Sequence, residues 1–419
     1  MTAAAGSAAD LLEDVARLRA DFPILSQLVH GREPLVYLDN AASTQRPTAV
    51  IAAMTEAYEH YYANVHRGIH TFSEMSTEQF EGAREAARQF INARSTSEVI
   101  FTSGCTAGIN LVARSWGDAN LRAGDEVLLT EMEHHANIIP WHQVAARTGC
   151  QVRFLPITDD GRLRLDLLDQ YLTPRTRMVA ITAVSNVLGV MNPVREIVAQ
   201  AHAVGAKVLV DAAQSVPHAA TDVQALDCDF LAFSGHKMLG PSGIGVLYGR
   251  EELLDAMPPF HGGGGMIGTV TTEGFTCAEL PAKFEAGTPP IVEAIGLGAA
   301  IAYLNAIGMD RIHAHEQCLA RRAHELLGAI DGVRFLGPPP EDKAGIVSFT
   351  VDRLHAHDVA QLLDRRGVAV RAGHHCTMPL HTRLRITASN RASFYFYNTL
   401  EEVERLASAL EEAKRKFRR

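Results

Sequence analysis

FLAFSGHKMLGPSGIGVLYG, residues 230–249, places two short apolar runs around a glycine-rich turn that carries one lysine, Lys237. FLAFSG (230–235) and IGVLYG (244–249) are apolar at consecutive positions, the pattern of strands buried on both faces. Upstream lie five more such runs: EVIF (98–101), DEVLLT (125–130), QVRFLPI (151–157), RMVAITAV (177–184) and KVLVD (207–211). Periodic segments separate them. PVREIVAQAHAVGA (193–206), for instance, opens on proline and closes around Gly205, as a helix does. This alternation predicts an α/β fold, a largely parallel seven-stranded sheet with helices on both faces.

After residue 290 the texture changes. VEAIGLGAAIAYLNAIG (292–308) reads as a long apolar helix and HEQCLARRAHELLGAI (315–330) as an amphipathic one. Strands VRFLG (333–337), GIVSFTV (345–351) and VAVRAG (368–373) follow, with a helix from about Asp358 to Arg365 before the last. A final helix, LEEVERLASALEEAKRKF (400–417), closes this part. The expected division is a large domain over residues 31–295 and a smaller α+β domain made of 1–30 with 296–419. HGGGGMIG (261–268) reads as a loop without side chains to pack a core, and His313 and His315 as solvated.

The chain has 419 residues, 47% of them hydrophobic, and a formal net charge of −9. That composition suits a globular protein with a large core and argues against a nucleic-acid or anionic-membrane surface. No apolar run approaches the roughly 18 residues that span a bilayer. MTAAAGSAADLLEDVARLRADFP lacks the basic and apolar regions of a secretory signal, and the ending KRKFRR (414–419) reads as the last turn of a solvated helix. Six scattered cysteines without a CxxC spacing suggest reduced thiols, hence a cytoplasmic setting.

Ligands of such a sheet bind beyond the C-terminal ends of its strands. After EVIF comes TSGCTAGINLVARSW (102–116), a small-residue turn into a helix. Its backbone N–H groups from Cys105 to Ala107 would face an anion, most naturally a phosphate. EMEHHANIIPW (131–141) puts His134 and His135 at another strand end, His135 reading as structural. SNVLGV adds Asn186, KVLVD ends in Asp211 with Gln214 beyond it, and SGHKMLG adds Ser234, His236 and Lys237. Asp211 alone reads equally well as a helix cap. Pyridoxal 5′-phosphate (PLP) accounts for these residues together, because it needs a Schiff-base lysine, a carboxylate for its ring nitrogen and an anion cradle. Lys237, Asp211 and the 104–107 turn with Ser234 and His236 supply the three. RAGHHCTMPL (371–380) sets His374 and His375 directly before Cys376, an arrangement open to metal binding, an activated thiol or packing.

These motifs, with YLDNAAST (37–44), NVHRGIHT (64–71), DAAQS (211–215), FEAGTPP (284–290) and RASFYFYNT (391–399), resemble the SufS-type (group II) cysteine desulfurases. These belong to the class V aminotransferase family of PLP fold type I. The resemblance implies that Lys237 binds PLP covalently and Asp211 pairs with its pyridinium nitrogen. It puts Gln214 and Asn186 on the O3′ side and His134 on the ring face. Thr106, Ser234 and His236 would hold the phosphate, with Thr288 contributed by the other subunit of a homodimer. Arg391 would clamp the substrate carboxylate, a task suited to a planar fork, with His66 and Arg371 near it. Cys376 would take sulfur from L-cysteine as a persulfide, releasing L-alanine and passing the sulfur on for iron–sulfur cluster assembly. No structural metal is implied.

The turn reads SGCTA where relatives commonly have RGTTE, so Ser103, Cys105 and Ala107 depart from the pattern. The Ala107 departure bears on any role of that side chain between subunits. Cys105 is either a second thiol near the cofactor or a small packing residue. His357, in HAHDVA (355–360), points modestly to a SufU-type rather than a SufE-type sulfur acceptor. The rival readings are a selenocysteine lyase, a kynureninase-like hydrolase or an aminotransferase on the same fold, and a zinc protein using 374–376. The last suffers because three adjacent residues cannot readily reach one tetrahedral ion. GPSGIGVLYG precedes a strand rather than a helix, so it is no dinucleotide fingerprint.

Overall fold

All seven apolar runs join one sheet in the computed structural model, which describes residues 8–417. Residues 1–7 and 418–419, parts of the stretch MTAAAGSAADLLEDVARLRADFP and of KRKFRR, lie outside the described residues. Across the sheet the order is Val99–Thr102, Gly245–Gly249, Phe230–Ser234, Lys207–Asp211, Thr176–Thr182, Glu126–Thr130 and Gln151–Leu155. Gly245–Gly249 runs antiparallel to both neighbours; every other neighbouring pair is parallel.

Side-chain alternation explains the unbroken apolar runs. Val208, Val210, Leu231 and Phe233 bury in the core on one face, whereas Leu209, Phe230 and Ala232 bury in the core on the other. Helices Thr71–Phe90 and Ile291–Ile307 cover the first face, and Cys105–Val112 and Ile139–Thr148 the second. Ile291–Ile307 is apolar nearly all round because it packs closely on Thr71–Phe90. A Cβ added at Gly298 would lie 3.0 Å from that of Ala83. Among the described residues no single helix is long and apolar enough to cross a membrane.

The second sheet is antiparallel, in the order Val333–Leu336, Ile346–Val351, Ser389–Ser393 and Arg371–Gly373. Helices Met309–Gly328, Ala356–Asp364 and Leu400–Phe417 pack with it. Helix Ala8–Ala20 lies against Met309–Gly328, and Arg19 donates to the Tyr397 carbonyl at 2.7 Å.

Several expectations are corrected here. VAVRAG is split: Val368–Ala369 pairs in parallel with Val36–Tyr37, and only Arg371–Gly373 joins the second sheet. Its neighbour Ser389–Ser393 is a strand that no apolar run marks. HGGGGMIG is not all loop, because Met266 is fully buried and Ile267–Val270 forms a hairpin with Phe275–Cys277. His315 is buried, not solvated; its Nε2 donates to the Asn398 carbonyl at 2.8 Å. The helix begins at Met309 and runs between two cores, with Ile312 in one and Leu319 in the other, so His315 and Glu316 between them are covered.

Candidate active site

The C-terminal ends of the central strands open into a cavity of about 350 Å³. Its floor is Asp211, last residue of its strand and 4% exposed. The carboxylate accepts from the Ala213 N–H at 3.0 Å and from the Cys105 thiol at 3.4 Å. Among the described residues it has no ion-pair partner. Lys237 follows the next strand, Phe230–Ser234, and projects into the same cavity without a hydrogen-bond partner among the described residues. Burial lowers its pKa, while the nearby Asp211 charge opposes that shift.

At one end of the floor, Gly104 turns into helix Cys105–Val112. Its φ of +144° favours glycine, and an added Cβ would crowd Ser234 Oγ at 3.3 Å. The expected cradle of three free N–H groups is reduced. Cys105 N–H donates to Ser234 Oγ at 2.8 Å, leaving those of Thr106 and Ala107 to an anion. The Cys105 thiol is buried against Asp211 and the Ala232 carbonyl, its pKa driven well up by burial. His236 also lines the cavity; burial takes its pKa down to about 4.

His134 and Asn186 form the walls. Burial lowers the His134 pKa to about 4, so the ring is neutral near pH 7. Its Nδ1 accepts from the Ala136 N–H at 3.0 Å, which leaves the proton on Nε2. Gln214 donates to the Ala41 carbonyl at 2.7 Å, and its buried Oε1 has no partner. Arg391 enters from the second sheet, donating to the Asn186 carbonyl at 2.9 Å and pairing with Asp39 at 3.3 Å. Burial lowers its pKa to about 10, which still leaves it charged at neutral pH. Arg371 binds the same Asp39 at 2.8 Å. Asp39 thus orders both arginines. It sits in the quoted YLDNAAST, but nothing in the spacing singled it out.

Cys376 is exposed at the mouth. His375 and Cys376 have φ of 51° and 57°, left-handed conformations that cost roughly 1–3 kcal/mol each for residues other than glycine. His375 turns away from the sulfur. Its Nε2 lies 3.1 Å from Ser389 Oγ, and burial pushes its pKa down to about 2. Asn186 donates to the His375 carbonyl at 2.8 Å, and the Cys376 N–H donates to His374 Nδ1 at 3.1 Å. The positive charges facing the sulfur are therefore Lys237, Arg371 and Arg391.

Two expected residues are not brought to this cavity within one chain. Thr288 lines a second cavity with Phe101, Phe260 and Glu285. His66 lines a third beside Thr288, its Nε2 paired with Glu81 at 2.9 Å. The Thr288 cavity lies at the end of the edge strand Val99–Thr102, lined also by Thr102 and Ser103, beside the main cavity rather than in it. Glu285 of FEAGTPP is structural, taking two bonds from the buried Arg84 and one from the Phe101 N–H.

The residues fit PLP. A buried carboxylate without a cation, an unpartnered amine beside it, an orphaned amide oxygen and free helix-start N–H groups match its pyridinium, aldehyde, hydroxyl and phosphate.

Residues 36–406 match the class-V aminotransferase family. The chain is 53% identical to a cysteine desulfurase of Cronobacter sakazakii over 94% of its own length and 97% of that protein's. The cysteine desulfurase CsdA of Escherichia coli superposes with a TM-score of 0.90 at 39% identity, covering 96% of this chain and 98% of that one. A mutant of the protein C-DES, with glycine covalently linked to its PLP, superposes at 0.80 with 26% identity over 94% and 99% of the two chains. The chain belongs to the class-V aminotransferase family, among its PLP-dependent cysteine desulfurases.

Proposed function

We propose that this enzyme takes sulfur from L-cysteine, releases L-alanine and carries the sulfur as a persulfide on Cys376. The observation that carries this reading is an exposed thiol lining the same cavity as a buried lysine and an unpaired buried carboxylate. When bound, PLP withdraws electrons from the substrate and so makes its Cα–H acidic and its Cβ–S bond labile.

Arg391 binds the substrate carboxylate, with Arg371 beside it. Lys237, as free amine, takes the α-proton, a role suited to its lowered pKa. Asp211 would keep the ring nitrogen protonated, and Gln214 and Asn186 would serve its O3′ hydroxyl. The neutral His134 ring would hold the cofactor ring. Thr106, Ser234 and His236 would hold the phosphate together with the helix N-terminus. Cys376 attacks the substrate sulfur: an S–S bond forms, the Cβ–S bond breaks, Cβ gains a proton and Lys237 returns the α-proton to Cα. A lyase that needs no protein nucleophile has no use for an exposed thiol on a strained turn.

A SufS-type enzyme of the cytoplasm, working in iron–sulfur cluster assembly, is the finer reading that the motifs favour. A homodimer would bring the partner's surface to the cavities of Thr288 and His66. Nearby exposed apolar residues such as Ile69, 96% exposed, and Phe72 support an interface there. Residues 31–295 would hold the cofactor, and 1–30 with 296–419 would deliver Cys376. His357, exposed on a helix packed against Arg371–Gly373, suits contact with a SufU-type acceptor. His357→Ala should keep the first turnover and slow handover to that acceptor; normal handover would remove this assignment.

The main test is Cys376→Ala. The variant should keep the visible cofactor band and bind L-cysteine but form neither persulfide nor alanine above background. Normal alanine formation would return the enzyme to the lyase reading.

A further inference from the structure

The sequence marks His135 as structural, and the structure shows what it holds. Its backbone N–H donates to the Cys376 carbonyl at 2.7 Å, and its Nε2 accepts from the Met378 N–H at 3.0 Å. One residue at the end of strand Glu126–Thr130 thus grips the chain on both sides of Thr377. Its ring lies 5.6 Å from that of His374, whose Nδ1 accepts the Cys376 N–H. Unlike its neighbour His134, His135 does not line the cofactor cavity.

The gripped turn contains two consecutive residues in the left-handed region. Such a conformation persists only where its surroundings over-determine it. Asn186 fixes the His375 carbonyl from below, but the chain after Cys376 is tied to the large sheet through His135. Burial and the neighbouring His374 lower the His135 pKa, which keeps Nε2 free to accept.

We propose that His135 is a positioning residue for sulfur transfer, stapling the Cys376 turn to the large sheet so that the sulfur stays over the cavity mouth. This rests on the reading of Cys376 as sulfur acceptor. Without the staple, the turn relaxes and the sulfur leaves its line of attack, while the groups that bind substrate and cofactor are untouched.

The test compares wild type, His135→Phe and His135→Gln as holoenzymes. Phenylalanine keeps a planar ring without an acceptor; glutamine offers an acceptor at similar reach. In His135→Phe, kcat for alanine should fall about tenfold with KM for L-cysteine nearly unchanged, as expected for a misplaced reacting atom. Iodoacetamide should label Cys376 several-fold faster, read by mass on its own peptide, and the cofactor band should not move. His135→Gln should recover most of both values. Wild-type labelling in His135→Phe, equal failure of the two variants, or a shifted cofactor band would each overturn the staple. Normal turnover by Cys376→Ala would instead remove the acceptor reading on which the positioning role rests, an outcome the labelling comparison does not share.

Discussion

Asp211 ends one of two adjacent parallel strands in the buried centre of the large sheet, and Lys237 follows the other; Cys376 rides a turn with two residues at positive φ, open to solvent. One region is held by apolar packing on either side, the other by a few hydrogen bonds from His135, Asn186 and His374. The contrast follows from the two halves of the reaction. Charge developing on a cofactor is stabilised by fixed groups in a dry site, where burial sets their pKa values. In the proposed reaction the sulfur leaves the site as a persulfide, which needs a carrier that solvent and an acceptor can reach.

Three measurements press on this difference, beginning with the floor. Lys237→Ala should lower alanine formation by roughly 10³-fold or more, because nucleophile to the cofactor and proton acceptor are lost together. Cys376 labelling should stay as in wild type, and a change there would mean that floor and rim are not independent. Arg391→Lys probes the junction, since Arg391 belongs to the second sheet yet touches Asn186. Losing one arm of the fork should lower kcat/KM about 10- to 100-fold, mostly through KM. A fall in kcat alone would place Arg391 in the chemistry rather than in binding.

The smallest effect concerns His375 and acid stability. Its folded pKa, about 2, lies below the ordinary histidine value, so between the two only the unfolded chain takes the proton. Stability therefore falls as pH drops below about 6.5, by up to about 1.4 kcal/mol per pH unit for this one site. Urea unfolding at pH 7.5 and 5.5 should show the loss in wild type and less of it in His375→Gln. An unchanged difference in the variant would mean that other groups, such as His134, carry it.

The large sheet was legible because its central strands are buried on both faces, which leaves an unbroken apolar run such as KVLVD. The second sheet was less so. Ser389–Ser393 reads SNRAS, without an apolar residue larger than alanine, and becomes a strand through pairing with Ile346–Val351. The burial of His315 and Met266 likewise depends on neighbours distant in sequence. In the site, Lys237, Asp211, Ser234 and His236 were legible because strand ends are where such sheets bind ligands. Asp39 and the grip of His135 were not, since each matters only through partners between 240 and 352 residues away.

By itself the sequence determined the strand–helix alternation, the chemistry at the strand ends and the resemblance that links them to PLP and a sulfur-accepting cysteine. Those follow from residue type and local spacing, which a single chain carries openly. The tertiary structure alone decided that Cys105 spends its N–H on Ser234, that Asp39 gathers two arginines and that His375 turns away from the sulfur. It also placed Thr288 and His66 outside the main cavity of one chain. Each of these depends on a direction in space, and side-chain direction is set by packing between distant segments.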